Sequence, residues 1–455
     1  MSRPNIIFFF TDQQRPDTLG CYGQKLNISP NLDRLAKEGI VFDEAYTAQP
    51  VCGPCRALFQ TGRYPTETGC YRNAKALPAG AKTIAQYFEE NGYETAYVGK
   101  WHLASERIDF ETAPLADYET KAIPLEHRGG YTGFWRAADL LEFTSHGYDG
   151  YVFDENMQKR EFKGYRADCI TDFALEFLDG YNGEKPFFMT ISHIEPHHQN
   201  DRNCYEGPKG SKERFKDYEL PGDFEALGGD AREMYPDYLG CCKSLDDNLG
   251  RLVKKLKEKN LYENTILVYA SDHGSHFRTR NQDKHLRGGD DYKRSCHSAC
   301  LKVPLVIAGP GYSRGRRVKD LVSTASLPKT MLAMAGIYVG DQMIGEDLKD
   351  VADGNTQGRV NRVFAQISES RVGRCIHTPK YLYSVYAPDK DGWKDKDSDY
   401  YEEDFLYDLE KDPYELHNLI YDKEYEDVRK QLAEELKEEM AKAGEKVPVI
   451  CSSSD

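Results

Sequence analysis

No stretch of this 455-residue chain approaches the roughly 20 consecutive apolar residues that a bilayer-spanning helix needs, which excludes a helical membrane protein. An excess of positive charge is missing too: 60 Lys plus Arg stand against 75 Asp plus Glu, for a formal charge of −15. Broad binding to nucleic acid or to anionic membranes needs basic residues that neutralise phosphates, so neither partner is expected. A small anion in a local cationic pocket stays compatible with that balance. Met1 to Phe10 holds too few apolar residues for the h-region of a secretory leader, so the expected location is the cytoplasm, or beyond it if a leader precedes this sequence. Repeats at solenoid periods are also absent. What the chain does hold is 12 cysteines, read in this context as mostly reduced thiols with metal or catalytic use for a few. A composition of 39% hydrophobic and 12% aromatic residues describes an ordered globular chain, long enough for a large α/β domain with an appendage.

Strand and helix patterns alternate through the first three quarters, the mark of a large, mostly parallel mixed sheet sandwiched by helices. The predicted strands are Asn5 to Thr11, Ile40 to Tyr46, Glu94 to Gly99, Pro186 to Ser192, Thr265 to Ser271 and Val303 to Ile307. Predicted helices run from Pro30 with Ser29 as N-cap, from Thr83 to Glu90, over Arg166 to Leu178 and over Glu233 to Lys259. The stretch from Gly336 to Arg362 loses this rhythm, so residues 1–350 are expected to form the catalytic α/β domain and 351–455 a smaller C-terminal α+β subdomain. In the latter, Val363 to Ile367, Tyr381 to Tyr386 and Phe405 to Leu409 read as an antiparallel sheet, Lys423 to Ala443 as a long helix, and Ser452 to Asp455 as a frayed tail.

In an open parallel sheet, ligands sit outside the carboxyl ends of the strands. Four predicted strands end in ionisable residues: Asp12-Gln13, Lys100-Trp101-His102, His193 through His197-His198, and Asp272-His273. After the second strand comes Cys52-Gly53-Pro54-Cys55-Arg56, where Pro54 suits the first turn of a helix ending at Gly62. Cys52 then stands at a helix N-terminus, which favours an anion, with Arg56 one turn on. Two buried cysteines are one reading of this segment. A redox dithiol is another, since Cys52-Gly53-Pro54-Cys55 spells the motif of thioredoxin-like proteins.

A third reading absorbs the rest of the chain. Cys52-x-Pro54-x-Arg56 with Thr61-Gly62-Arg63 resembles the signature of the type I, formylglycine-dependent sulfatases of the alkaline phosphatase superfamily. Asp12 with Gly20-Cys21-Tyr22-Gly23, Gly99-Lys100-Trp101-His102, Pro196-His197, Ser271-Asp272-His273-Gly274, Val303-Pro304 and Leu406-Tyr407-Asp408 follow that family's order. Cys55 departs from the usual Ser or Ala, Gln13 replaces a common second Asp, and His273 replaces a common Asn; the last two also fit related phosphonate monoester and phosphodiester hydrolases.

The resemblance implies hydrolysis of a sulfate ester, of a sulfated carbohydrate or another small alcohol, after a maturation enzyme has converted Cys52 to formylglycine. It implies that Asp12, Gln13, Asp272 and His273 hold Ca²⁺, or alternatively Mg²⁺ or another divalent ion. Arg56, Lys100 and Lys293 would hold the hydrate and sulfate oxygens, Asp272 would act as base, His197 would protonate the leaving alcohol and His102 would release sulfate. Glu369, Arg371 and Arg374 resemble positions where the C-terminal subdomain reaches the substrate, and the loops Ile108 to Ser145 and Asn200 to Asp230 would shape its pocket. Among the other polar residues, His193 is expected to pack, His198 is a second candidate acid, and His276, Arg278 and Arg280 are read as a solvated loop.

Overall fold

The computed structural model describes residues 3–107, 117–280 and 292–452; the first part of the expected pocket loop from Ile108 and the end of the tail at Asp455 lie outside them. Eleven strands form the first sheet: β1 (Asn5–Thr11), β2 (Ile40–Tyr46), β3 (Glu94–Lys100), β4 (Phe134–Ala138), β5 (Ser145–His146), β6 (Asp149–Asp154), β7 (Lys159–Lys163), β8 (Phe187–Ser192), β9 (Thr265–Ser271), β10 (Leu305–Ala308) and β11 (Arg316–Ser323). Their order is β11-β2-β10-β9-β1-β8-β3-β4-β6-β5, with β7 on β6. From β9 to β4 every pairing is parallel, while β10 runs antiparallel to both its neighbours.

The central strands are apolar on both faces because both faces are covered. Along β1, Ile6, Phe8 and Phe10 enter one core and Ile7 and Phe9 the other, as the two-residue period of a strand dictates. The first core takes the helices Cys52–Thr61, Ile84–Glu90 and Leu327–Met334; the second takes Pro30–Glu38, Arg166–Gly180 and Ala231–Glu258. None of the helices described is long and apolar enough to cross a membrane.

A second sheet holds β12 (Val363–Ile367), β13 (Gly373–His377), β14 (Tyr381–Tyr386), β15 (Tyr400–Asp408) and β16 (Val449–Cys451), antiparallel except for β16. Leu432, Leu436 and Met440 of the helix Glu426–Lys442 cover one face. The other face packs Val363, Ala365 and Cys375 against Tyr46, Leu301 and Leu321 of the first layer. Thr83 caps its helix through a reciprocal capping box with Gln86, as its spacing predicts. Ser29 makes no cap bond; its hydroxyl accepts the Gly20 N–H and donates to Asp33 instead.

Candidate active site

Adjacent strands bring the four ionisable strand ends into one row. β1 pairs with β9 so that Thr11 faces Ser271, which puts Asp12 beside Asp272. On the far side of β1 lies β8, which leads into His193 to His198, and next to it β3, which ends at Lys100. The helix after β2 starts at Cys52 and stops at Gly62, where a left-handed φ of 61° closes it. Its N-terminus is held by Asn73, whose Oδ1 accepts the Gly53 N–H at 2.9 Å.

Cys52 is 1% exposed and sits at the centre of the row. Its Sγ lies 3.4 Å from Asp12 Oδ1, 3.3 Å from His273 Nε2 and 3.2 Å from Lys293 Nζ. The Lys293 ammonium also reaches His197 Nε2 at 2.7 Å. Burial, reinforced by the charge of Asp12, pushes the Cys52 thiol well up, and burial does the same to Cys55, whose Sγ rests 3.3 Å from the Asp272 carbonyl. Dithiol exchange needs an accessible thiol of lowered pKa, so the redox reading fails on this geometry.

Asp12 Oδ2 accepts from Arg56 Nη2 at 2.9 Å and from Lys100 Nζ at 3.0 Å. Burial opposes its ionisation, yet Lys100, His197 and Arg56 together hold its carboxyl well below the usual range. Asp272 is pushed the other way, to about 7, by burial and by the charge of Asp12. Arg56 Nη1 donates to the Lys100 carbonyl and to the Ser192 hydroxyl, both at 2.7 Å, over the Phe10 ring, while its Nε has no hydrogen-bond partner among the described residues. Arg56 thus anchors Asp12 and the β3 end.

Asp12, Cys52, Asp272 and His273 present donor atoms that all lie within 4.8 Å of one another. Asp272 Oδ2 is buried with no hydrogen-bond partner among the described residues. His273 has its Nδ1 2.9 Å from the Gly274 carbonyl, and burial with Lys293 lowers its pKa to about 3, so the ring is neutral and turns the Nε2 lone pair to the cluster. Two facing carboxylates and a neutral imidazole fit a divalent cation, which would remove their mutual repulsion. Gln13 adjoins them: its N–H donates to Asp272 Oδ1 at 3.0 Å and its Oε1 accepts from the His198 N–H at 3.0 Å. His102 is buried with both ring nitrogens unengaged among the described residues; burial and then Lys100 keep it neutral.

The C-terminal positions divide. Glu369 is buried, accepting from the Asn73 N–H at 2.5 Å and pairing with Arg294 Nε at 2.5 Å, so it clamps the loop that holds Cys52's helix. Arg371 pairs with Asp404 at 2.9 Å on the wall of a cavity of about 300 Å³ next to Arg294. Arg374 does not reach the site: it is buried against Glu445 inside its own layer. His193 packs on Phe9 and hydrogen-bonds Thr171, as expected. The solvated-loop reading fails for His276, wholly buried, and for Arg280, which binds the carbonyls of Tyr414 and Glu415; Arg278 is exposed.

Two site residues escaped sequence reading. Asp139 accepts the N–H groups of Leu103, Ala104 and Ser105 and so shapes the turn after Lys100, and Glu142 pairs with Lys100 Nζ at 3.2 Å. Both follow β4, and that strand's pattern, Phe-Trp-Arg-Ala-Ala, alternates too weakly to have marked its end as part of the row.

A family model described as Sulfatase matches residues 4–337, and one described as N-sulphoglucosamine sulphohydrolase, C-terminal, matches residues 290–442. The chain belongs to the sulfatase family. It is therefore a sulfuric ester hydrolase. It is 30% identical to an uncharacterized sulfatase, YidJ, of Escherichia coli over 97% of this chain and 88% of the relative. It is 26% identical to an N-acetylglucosamine-6-O-sulfatase of Bacteroides thetaiotaomicron over 96% and 86%. In fold, this sulfatase matches a structure solved with its substrate D-glucosamine-2-N,6-O-disulfate, with a TM-score of 0.75 at 23% identity over 100% of both chains.

Proposed function

We propose that this sulfatase cleaves a sulfate ester of a sulfated carbohydrate at a formylglycine made from Cys52 by a maturation enzyme, with a divalent cation on Asp12, Gln13, Asp272 and His273. The observation that carries the reading is the place of Cys52: a buried residue at a helix N-terminus, within 3.2 to 3.4 Å of a lysine, an imidazole and a carboxylate. The carbohydrate class rests on the N-acetylglucosamine-6-O-sulfatase relative, and calcium is the first candidate because carboxylate oxygens dominate the donor set.

When present, formylglycine supplies an oxygen nucleophile and the cation offsets the charge of the sulfate oxygens. The chain's own residues do the rest. Lys100 and Lys293 bring ammonium groups to the non-bridging oxygens, so that charge developing there meets preorganised donors. His197, held on Lys293, stands where the leaving alcohol needs a proton. Neutral His102, whose ring nitrogens are unengaged among the described residues, would accept a proton from the oxygen of residue 52. Arg56 keeps Asp12 ionised and in place.

The deciding measurement is the mass of the peptide containing residue 52 from the native host. Conversion replaces sulfur by oxygen with loss of two hydrogens; an unmodified thiol in active protein overturns the reading. Turnover of 4-nitrophenyl sulfate above that of phenyl phosphonate esters separates it from the phosphonate hydrolase alternative that Gln13 and His273 keep open.

A further inference from the structure

An ammonium has three N–H donors. At the wholly buried Lys100 two of them are engaged, by Asp12 Oδ2 at 3.0 Å and by Glu142 Oε1 at 3.2 Å, which leaves one for a ligand over Cys52. The two carboxylates are not equally compensated. Asp12 shares Lys100 with Arg56, whereas Glu142 has no other ion pair among the described residues, and its Oε2 is buried without a hydrogen-bond partner there. Glu142 stands on the turn of helix Leu141–Thr144 behind β4, and its carbonyl accepts from Gln199 Nε2 at 3.2 Å, which ties it to the segment that carries His197. An under-compensated negative charge is thus built in directly behind the lysine that faces the anion site.

We propose that Glu142 is a specificity-determining charge filter, which admits a ligand group of one negative charge and disfavours one of two. The proposal rests on the reading that an anionic group binds over Cys52. A sulfate ester carries one charge at neutral pH; a phosphate monoester and inorganic sulfate carry two. For a group held on the far side of the Lys100 ammonium, a separation of about 7 Å from the carboxylate and an effective dielectric near 20 would make each additional charge weaken binding roughly tenfold to fiftyfold. Glu142 therefore turns away phosphate monoesters and speeds the departure of the sulfate product, while Lys100 keeps enough of its field to hold the ester.

The test compares two tetrahedral anions that the enzyme does not consume. Dissociation constants of inorganic sulfate and of methanesulfonate are measured by calorimetry at pH 7.5 on the full-length, metal-loaded protein and on Glu142→Gln, Glu142→Ala and Glu142→Asp. Gln keeps an acceptor for Lys100 without the charge, Ala removes both, and Asp keeps the charge. The filter predicts that Gln and Ala, or whichever of them folds, tighten sulfate by tenfold or more relative to methanesulfonate, while Asp keeps the preference of the parent protein. An unchanged ratio in the Gln and Ala variants, or equal movement of both constants, would show that Glu142 only positions Lys100 and would overturn the proposal, as would a parent protein that binds neither anion. The parallel kcat/KM ratio of 4-nitrophenyl sulfate to 4-nitrophenyl phosphate separates the two failures. Sulfate-ester turnover with an unmoved binding ratio sinks the filter alone, and a shifted binding ratio without turnover of any sulfate ester sinks the functional reading alone.

Discussion

At the scale of single residues, the proposed function assigns the proton and the cation to different side chains. His197 Nε2 lies 2.7 Å from Lys293 Nζ and is not one of the four residues whose donor atoms cluster, so removing it should leave the cation in place. His197→Asn is expected to cost poor leaving groups about 10² to 10⁴ in kcat/KM and 4-nitrophenyl sulfate far less, because an acidic phenol departs without general acid help. A series of aryl and sugar sulfates read against leaving-group pKa checks this; equal losses across the series would remove His197 from the acid role. His273→Ala should behave oppositely, lowering bound metal by elemental analysis and depressing all substrates alike, since its Nε2 is a donor atom of the cluster. Both roles agree with the placement of residues that composition alone disguised: a chain of charge −15 gathers Arg56, Lys100 and Lys293 around one thiol.

At the scale of elements, the row of strand ends depends on how closely β3 and β8 approach. Gly99 has a φ of 104°, and a Cβ there would stand 2.0 Å from the Ser192 carbonyl oxygen, a backbone atom that cannot swing aside. Gly99→Ala is expected to destabilise by about 3 kcal/mol or more and to displace Lys100, seen as a lower midpoint in urea together with lost activity. The clamp from β12 to the Cys52 helix gives a second test. Glu369→Ala takes a buried partner from Arg294 and an acceptor from Asn73, at an expected cost of about 3 kcal/mol.

These elements also show what could be read beforehand. β1, β2, β9, β12 and β14 match their predicted bounds; all are mainly apolar, although β2 carries Asp43 and Glu44. β11 and β13 gave no such signal. Arg316-Arg317-Val318-Lys319 is charged because β11 is an edge strand, and Arg374 inside β13 is made tolerable by Glu445, some 70 residues on, and by the Lys396 carbonyl. The residues Asp12, Lys100, His197 and Asp272 were legible from the ends of the predicted strands, since a parallel sheet collects function at one edge. Glu142 was not, for its role depends on a pairing with Lys100 that no local pattern announces.

At the scale of the whole molecule, buried titratable groups tilt stability against pH in opposite directions, and two of them can be separated. His193 lies under β1, and burial, with Arg166, lowers its pKa from 6.5 to about 3. Between those values the unfolded chain binds a proton that the folded one does not, so folding stability falls by about 1.4 kcal/mol for each unit of acidification from this group. Glu415 holds the Ser298 N–H with both oxygens, and burial raises it from 4.5 to about 7 despite Arg280. Here the folded chain binds the extra proton, so stability falls as pH rises from 4.5 to 7 and is fully present below that window. His193→Gln should therefore gain on the parent protein as the pH drops from 6.5, and Glu415→Gln should gain on it as the pH climbs toward 7, each at about 1.4 kcal/mol per unit. Chemical unfolding of the three proteins at pH 5, 6 and 7 reads the slopes directly as differences, in which every group common to them cancels. Parallel curves for His193→Gln and the parent would mean that the imidazole titrates alike in both states and would overturn this reading of its burial against Phe9 and Thr171.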